Sequence, residues 1–357
     1  MRGYAINGRF VGQRFSGVQR FATEITGAWA TLAEAGEAPE PALLVPPGAG
    51  ASPFPGLPAQ EVGSGGGQRW EQFALPGAVA GRLLVNLGNT APLRLGRRQA
   101  VVIHDAGVFD TPESYSWQFR TWYRLMHKLL ARRGALLLTV SEFSRGRIAH
   151  HLGVDPARIG VVGEGGEHIL RAPADMAVLG KYGLEPGRYA LNVGNKAAHK
   201  NLGGQGAAAA LLAERGLKLA AVGGGGAVFA GAESAQGAAV VPLGRVSDAE
   251  LRALYENALC LIFPSRYEGF GLPPMEAFNC ACPVLAARAG SLPEVCGGAA
   301  LWFDPAAPET LAAALRRLLD EDGLADTLRA RGALQARHYT WPNGARALLR
   351  HLEAYSA

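Results

Sequence analysis

The sequence predicts an α/β protein built from two doubly wound parallel sheets in tandem. Two series of short runs rich in valine, leucine and isoleucine alternate with helical stretches, and several of these runs are apolar at nearly every position, as strands buried on both faces are. The 48 glycines and 22 prolines are scattered among the runs without a Gly-X-Y period, which indicates many tight turns. At roughly 150 residues per domain, 357 residues suffice for about two domains.

Composition and charge exclude several other classes of protein. Hydrophobic residues make up 48% of the chain and charged residues 18%, which excludes a disordered or fibrous protein. The four cysteines form no CxxC pair, so neither a zinc site nor a disulfide framework is indicated and a reducing compartment is expected. No signal-peptide core or apolar run of membrane-spanning length is present, so we expect a cytoplasmic protein. Residues 1–186 carry 19 basic and 15 acidic side chains, so we expect an anionic partner to bind this half of the chain.

The predicted elements fall into two domains. The first series of strands is Tyr4–Ile6, Ala42–Val45, Arg82–Val85, Ala100–Ile103 and Ala135–Val140. The second is Tyr189–Val193, Lys218–Val222, Ala239–Pro242, Cys260–Phe263 and Pro283–Ala286, with helical runs at Ala207–Glu214, Asp248–Glu256 and Met275–Cys280. The polar, proline-bearing stretch between the series predicts a first domain at 1–170, a linker at 171–187 and a second domain at 188–337. A helical tail at 338–357 is long enough to pack back on the first domain.

Two positions in the first half are candidates for ligand binding. The spacing of Ser16 and Gln19 predicts a capping box, which places Gly17 at a helix start where backbone amides favour a phosphate. A capped surface helix explains the same pattern. His104 follows the strand Ala100–Ile103, and ligands bind at the carboxyl ends of parallel strands. A histidine there is also commonly a hydrogen-bonded structural residue, and both interpretations stay open.

The second half carries a basic loop and a glycine loop. Asn195, Lys196 and Lys200 lie in the loop after the strand Tyr189–Val193, where a lysine suits a diphosphate, although a solvated basic loop is the simpler interpretation. The segment 263–276 runs from a strand through a glycine loop into a helix. Its carboxylates, Glu268 and Glu276, suit sugar hydroxyls, but their spacing alone is weak evidence.

Together these motifs make the chain recognisable, because it resembles the retaining glycosyltransferases of family four, which share the two-domain GT-B fold. The motifs that carry the resemblance are Asn7-Gly8-Arg9, Ser16-Gly17-Val18-Gln19-Arg20, Trp70-Glu71-Gln72, Val102-Ile103-His104-Asp105, Val140-Ser141-Glu142-Phe143-Ser144, His199-Lys200-Asn201, Pro264 to Glu276, and Ser291-Leu292-Pro293-Glu294-Val295. The segments at 17–20 and 70–72 further resemble bacterial enzymes that build exopolysaccharide or O-antigen units, often as mannosyltransferases.

The resemblance implies a role for each candidate residue. His104 would lie beside the donor sugar, and Lys200 would neutralise the leaving diphosphate. Glu268, with the backbone amides of residues 270–272, would hold the transferring sugar and the phosphates. The implied donor-binding residues are Gly17, Asn195, Lys196, Val246, Gly269, Phe270, Gly271, Leu272 and Glu276, with Glu276 on the ribose and Val246 at the nucleobase. Two positions depart from the family pattern, since His199 stands where an arginine is frequent and Glu164-Gly165 replaces an Asn-Gly pair. Lys196 is a candidate to replace the missing charge.

The resemblance implies a retaining hexosyltransferase with two Rossmann-like domains facing a cleft and a C-terminal helix crossing back to the first. Its co-substrate is a GDP- or UDP-linked sugar, with GDP-mannose favoured, and its acceptor a glycan or polyprenyl-linked sugar. No metal, other cofactor or nucleic acid is expected: Asp320-Glu321-Asp322 follows a helical run, and Gly223 to Gly226 lacks a dinucleotide-binding frame. A nucleotide-sugar epimerase and a non-catalytic scaffold of a polysaccharide assembly complex are the alternatives.

One further segment predicts a membrane contact. Residues 117–133 carry Arg120, Arg124, Lys128 and Arg132 at intervals of four, which places them along one helical stripe. Another face of this helix is apolar and consists of Trp122, Leu125, Met126, Leu129 and Leu130. Such a helix suits the anionic inner face of the cell membrane, whereas an ordinary surface helix would bury the apolar face in the core.

Overall fold

The computed structural model describes residues 3–195, 197–223 and 240–356. The chain divides into two compact units. The N-terminal unit contains the chain up to Glu164 and again from Trp341 onward, and the C-terminal unit spans Gly165–Thr340. Residues 171–187, predicted as a linker, lie in the C-terminal unit. They contain the helix Ala177–Lys181, which packs on the helix Asp248–Asn257. Just before the first of these helices, the Asp175 amide donates to the Ala249 carbonyl at 3.0 Å.

One parallel sheet forms the centre of the N-terminal unit. Among the residues described there, its seven strands lie in the order β3-β2-β1-β4-β5-β6-β7. They are β1 Tyr4–Asn7, β2 Ala42–Val45, β3 Ala59–Glu61, β4 Leu83–Asn86, β5 Gln99–Val102, β6 Leu136–Thr139 and β7 Ile159–Val161. Every residue of β4 and β5 is buried, as nearly continuous apolar runs predict for central strands.

Helices cover this sheet. They are α1 Gly17–Glu34, α2 Gly67–Arg69, α3 Leu75–Ala78, α4 Gly107–Asp110, α5 Trp117–Arg132 and α6 Glu142–Leu152, and a single π-helical turn, Trp70–Ala74, joins α2 to α3. Trp70 is buried with Leu44, Leu75 and Leu84 in one apolar cluster, which fixes the turn against the sheet.

A second parallel sheet forms the centre of the C-terminal unit. Its six described strands lie in the order β10-β9-β8-β11-β12-β13. They are β8 Tyr189–Val193, β9 Lys218–Val222, β10 Val240–Gly244, β11 Cys260–Phe263, β12 Val284–Ala287 and β13 Ala300–Phe303. The helices described here are α7 Ala177–Lys181, α8 Gly206–Glu214, α9 Asp248–Asn257, α10 Leu272–Asn279, α11 Leu292–Cys296, α12 Pro308–Asp320 and α13 Leu324–His338.

The last helix, α14 (Trp341–Ser356), returns to the N-terminal unit and packs on α1, as predicted for the tail. The ring of Trp341 lies 6.1 Å from that of Phe21 in an edge-to-face arrangement. At its other end the Tyr355 hydroxyl donates to the Gly134 carbonyl at 2.6 Å. None of the described helices combines the length and apolar character needed to cross a membrane.

Both sheets reverse their strand order in the middle. The reversal lies between β1 and β4 in the N-terminal unit and between β8 and β11 in the C-terminal unit. In open parallel sheets, the loops that leave the two strands at such a point diverge and open a crevice in which ligands bind. Each unit therefore has one position where the topology favours a binding site.

Candidate active site

The reversal point of the C-terminal unit brings together two predicted site residues. Lys200 lies in the loop after β8 and Glu268 in the loop after β11, and Lys200 Nζ donates to Glu268 Oε1 at 2.7 Å. The two side chains are 17% and 12% exposed, and the ammonium group lies 5.6 Å from the centre of the Phe263 ring. A partly desolvated cation at this position can attract an anionic ligand more strongly than a surface lysine.

Main-chain contacts fix both loops. The Arg266 amide donates to the His199 carbonyl at 2.7 Å, so the Lys200 loop is bonded directly to the Glu268 loop. Gly290 passes behind Glu268 with φ +60°, and an added Cβ there would lie 2.8 Å from the Glu268 nitrogen. Only glycine allows this close approach, which holds the Glu268 backbone in place.

The glycine loop ends at Gly271, whose φ of +112° suits glycine, and helix α10 begins at Leu272 with a proline in its first turn. The Ser291 hydroxyl donates to the Phe270 carbonyl at 2.7 Å, which supports the loop from behind. Gly269, Phe270 and Gly271 are buried. The helix begins three residues before the predicted run Met275–Cys280, and donor binding by these backbone amides stays a prediction.

Glu276 on α10 is 6% exposed, and both of its carboxylate oxygens have partners. Oε1 lies 3.0 Å from His168 Nε2, and Oε2 accepts a hydrogen bond of 2.9 Å from the Tyr255 hydroxyl. Burial, and secondarily the Glu276 charge, raise the pKa of Tyr255, so its hydroxyl remains a donor at neutral pH. A carboxylate has about four lone-pair sites, so Glu276 keeps acceptor capacity for a ligand hydroxyl. The sequence reasoning missed His168 and Tyr255, because neither belongs to a recognisable motif.

The remaining donor-binding candidates of this unit lie in loops. The Asn195 side chain is exposed and accepts a bond of 3.1 Å from the Ala197 amide. Val246 is half-buried between β10 and α9. Lys196 lies outside the described residues, as do residues 224–226 of the Gly223 to Gly226 segment.

At the start of α1 the structure corrects one prediction. The helix begins at Gly17, which is exposed, but the Ser16 side chain caps no backbone amide. Its hydroxyl donates instead to the side-chain oxygen of Gln19, whose amide group in turn donates to Gln13 at 2.9 Å. The predicted capping box is wrong because Gln19 points towards Gln13 rather than back to the Ser16 backbone.

His104 is 6% exposed in the N-terminal unit and has contacts on both ring nitrogens. Nε2 lies 3.0 Å from the Leu87 carbonyl and Nδ1 lies 3.6 Å from Glu164 Oε1, at the position where this chain departs from the family pattern. The ring meets that of Phe21 edge to face at 4.7 Å. These contacts fit a structural histidine and a positioned catalytic one equally, so its catalytic role stays a prediction.

Helix α5 differs from its predicted pattern at three positions, one of which is Arg120, half-buried within the predicted basic stripe. Arg124 is half-buried, because its Nε donates to the Val108 carbonyl at 2.7 Å and its guanidinium lies 5.3 Å from the centre of the Phe109 ring. Leu125 was predicted on the apolar face but is 50% exposed, whereas Met126 and Leu130 are buried. The solvent-facing side chains of α5 include Trp117, Leu125, Lys128 and Arg132, which we call the α5 surface.

Metal-binding groups and disulfides were not predicted. In the part of the chain that the structure describes, no group of three or more His, Cys, Asp or Glu side chains could hold a metal ion. Asp320 ends α12 and accepts a bond of 2.9 Å from Arg215, as predicted for a helix end. The four cysteines are buried with free thiols.

Comparisons with known proteins show the family to which this chain belongs. The model of the family "Glycosyl transferases group 1" matches residues 180–335, which contain Lys200, Glu268 and Glu276. The chain is similar to the O-antigen chain mannosyltransferase B of Escherichia coli, with 34% identity over 268 residues that cover 71% of this chain and 69% of the relative. The chain belongs to the group 1 glycosyltransferases.

Solved structures show that this glycosyltransferase has the GT-B fold. Sucrose-phosphate synthase from Thermosynechococcus elongatus matches with a TM-score of 0.74 and 18% identity over 98% of each chain. The Anabaena protein HepE in complex with UDP and glucose matches with a TM-score of 0.71 and 17% identity, over 99% of this chain and 100% of that one. The predicted GT-B fold class is confirmed, and the predicted family is confirmed at the level of the group 1 glycosyltransferases.

Proposed function

We propose that this glycosyltransferase moves a mannosyl group from GDP-mannose to a glycan or lipid-linked acceptor in bacterial polysaccharide synthesis, with retention of anomeric configuration. The Lys200–Glu268 pair is the observation that carries the proposal. It supplies a cation for the departing diphosphate and a carboxylate for the sugar within 2.7 Å of each other, at the reversal point of the sheet. His104, Lys200 and Glu268 are the catalytic residues in this proposal.

Two observations support the choice of sugar and acceptor and the assignment of Glu276 to the ribose. The relative from Escherichia coli is named as an O-antigen chain mannosyltransferase, which favours mannose as the sugar and a growing glycan as the acceptor. Glu276 keeps acceptor capacity at a site where a ribose would present two neighbouring hydroxyls, and His168 and Tyr255 hold its carboxylate in one orientation. We assign Glu276 to the ribose on this basis.

The test is a screen of nucleotide sugars followed by an assay of transfer. A donor present at about 100 times its dissociation constant stabilises the folded state by roughly 2.7 kcal/mol, which a thermal shift resolves. We expect GDP-mannose to give a larger shift than UDP-glucose or ADP-glucose and to yield an α-linked product with a mannose-terminated acceptor. A β-linked product would contradict retention.

The alternative functions give different results in the same experiment. An epimerase converts the donor sugar to an isomer when no acceptor is present, which proton NMR of the donor detects. A scaffold gives neither an isomer nor a product. Either result would overturn the proposed transfer.

We also propose that transfer needs no divalent metal ion. Lys200 and the backbone amides at the start of α10 would stabilise the diphosphate charge that a metal stabilises in other enzymes. We expect full activity in excess EDTA. Loss of activity with EDTA, restored by manganese or magnesium, would show that this assignment is wrong.

The α5 surface supports a peripheral contact with anionic lipid. Trp117 is 66% exposed and lies on the same side of the helix as Lys128 and Arg132, so an aromatic group and two charges can reach one bilayer. Each basic residue contributes about 1 kcal/mol, so changing Lys128 and Arg132 together to glutamine should weaken binding roughly 30-fold.

Flotation with vesicles of phosphatidylglycerol or phosphatidylcholine measures this contact. The matched control changes Arg69 and Arg94 to glutamine, because both are exposed arginines of the same unit outside α5. We expect the control to float like the wild type. Equal recovery on the two lipids, or an equal loss in both double variants, would leave α5 as an ordinary surface helix.

A further inference from the structure

A concave basic surface lies at the amino ends of three strands of the N-terminal sheet. It forms a cleft of about 480 Å³ that is partly open to solvent. Four arginines line this cleft, and no acidic residue is among the described residues that do so, so we call it the arginine cleft. The arginines are Arg97, Arg132, Arg133 and Arg158, all of them exposed, and the other lining residues are small or aliphatic.

The arginine cleft is separate from the crevice at the reversal point of this sheet. Arg97 lies before β5, Gly134 before β6 and Arg158 before β7, so the amino ends of three neighbouring parallel strands meet there. His104 follows β5 at its carboxyl end. A strand of four residues separates its two ends by about 13 Å. A ligand in the cleft therefore occupies a different site from a ligand beside His104.

Several contacts fix the walls of the cleft. The Tyr355 hydroxyl donates to the Gly134 carbonyl at 2.6 Å and lies 2.8 Å from the Arg97 carbonyl. The side-chain stem of Arg97 passes close over Gly134, where an added Cβ would lie 3.0 Å from Arg97 Cγ. The Nη1 of Arg133 donates to the Leu93 carbonyl at 2.7 Å, which leaves its other N–H donors for a ligand. Because these contacts restrict two of the arginines in advance, ligand binding loses less side-chain entropy.

The positive charge of the cleft is not neutralised by acidic side chains. Within the described residues, none of its four guanidinium groups forms an ion pair with a carboxylate, whereas Arg147 of the same unit pairs with Asp110. Asp155 is the acidic residue closest in sequence to Arg158, and its carboxylate accepts a bond of 2.9 Å from the Ala157 amide instead of lining the cleft.

Two helix ends offset only a small part of this charge. Arg133 follows the last residue of α5 and Gly153 follows the last residue of α6, so both helices end at the cleft. A helix C-terminus carries about half a negative charge, so the two ends together offset about one of the four positive charges. About three positive charges remain, and they create a potential that attracts an anion.

Phosphoryl groups suit this lining. A guanidinium presents parallel N–H donors that match two oxygens of one phosphate group. A phosphate monoester carries about two negative charges at neutral pH, so a second phosphoryl group is needed to balance the cleft. A neutral sugar is not favoured, because none of the lining side chains can accept a hydrogen bond from a hydroxyl group.

We propose that the arginine cleft binds a ligand with two phosphoryl groups, which is either a soluble diphosphate or the diphosphate head group of a lipid. Arg97 and Arg158 bind it from the segments before β5 and β7, and Arg132 and Arg133 bind it from the end of α5. The proposal does not depend on the donor or the acceptor of the proposed transfer, because the cleft and His104 lie at opposite ends of the strands.

Calorimetric titration of the full chain with sodium pyrophosphate tests the cleft. The titration uses a Lys200→Ala background, which removes the diphosphate site proposed for the donor. Adding Arg97→Gln and Arg158→Gln together should weaken binding about 100-fold, because each lost charge-assisted contact costs about tenfold in affinity. Both side chains are exposed and lie outside α5, so these changes leave the fold and the α5 surface intact.

The matched control adds Arg69→Gln and Arg94→Gln to the same background. It removes the same charge from exposed positions of the same unit outside the cleft, so it should bind pyrophosphate with unchanged affinity. A loss confined to the cleft variant supports the proposal. An equal loss in both double variants would show attraction by net charge alone and would overturn it, as would the absence of pyrophosphate binding before the arginines are changed.

Flotation distinguishes the two sources of the diphosphate. Phosphatidylcholine vesicles that contain geranylgeranyl diphosphate are compared with vesicles that carry the same charge as phosphatidylglycerol. Stronger flotation with the diphosphate lipid, lost in the Arg97 and Arg158 double variant, supports the cleft as a site for a lipid head group. Equal flotation with the two lipids, together with cleft-dependent binding of pyrophosphate, supports it as a site for a soluble diphosphate.

Discussion

Replacement of Lys200 by alanine should lower kcat by about two to three orders of magnitude, as removal of a preorganised electrostatic contact to the transition state does. Lys200 is the cation that follows β8 at the reversal point, and only 17% of its side chain is exposed. The same change removes the partner of Glu268, which leaves an uncompensated carboxylate at the proposed diphosphate site. Donor affinity should therefore fall together with turnover, and steady-state kinetics with GDP-mannose measures both.

A second substitution separates two causes of the lost donor affinity, the missing Lys200 cation and the uncompensated Glu268 charge. In the double variant Lys200→Ala with Glu268→Gln, the uncompensated charge is absent, so part of the donor affinity should return while kcat stays low. Lys181→Ala is the control, because Lys181 also pairs with a glutamate of this unit, Glu250, at 3.2 Å, but is 56% exposed. Turnover of Lys200→Ala at the wild-type rate would contradict the assignment of this residue to the leaving group.

The central strands were predictable from sequence, whereas three of the four edge strands of the described sheets were not. All predicted strands are present with ends within two residues of the predicted bounds, apart from Ala239, which lies outside the described residues. The missed strands β3, β7 and β13 each lie at an edge of a sheet. An edge strand has one neighbour and less need for a continuous apolar run, and the Ala-Gln-Glu sequence of β3 carries no such signal.

In the candidate site, too, some contacts could be predicted from sequence and others could not. Lys200 and Glu268 could be predicted as neighbours, because both follow central strands of one sheet. The partners of Glu276 could not, since His168 lies 108 positions away and reaches the carboxylate only after the chain folds. Ser16 shows that local pattern also fails, because the partner of its hydroxyl depends on where Gln13 lies. The spacing of residues predicts which segments meet, and packing decides which atoms bond.

Acidification should destabilise the protein through His127, a residue outside the proposed site. His127 is 2% exposed on α5, and burial lowers its pKa to about 4 despite a contact of 2.9 Å from Nε2 to the Asn89 carbonyl. In the unfolded chain a histidine titrates near 6.5. Below that pH the unfolded state binds a proton that the folded state excludes, so stability is complete above pH 6.5 and falls as the pH approaches 4. Between pH 7.5 and 4.5 the expected loss is about 2–3 kcal/mol.

The measurement is a difference between two proteins, because other groups also titrate in this range. Urea unfolding of the wild type and of His127→Gln at both pH values gives two changes in unfolding free energy. A glutamine amide can still donate to the Asn89 carbonyl and carries no titrating group, so the variant should lose about 2–3 kcal/mol less than the wild type on acidification. His150→Gln is the control, since His150 is exposed on α6. A wild-type acid dependence in His127→Gln would show that His127 does not exclude the proton when folded.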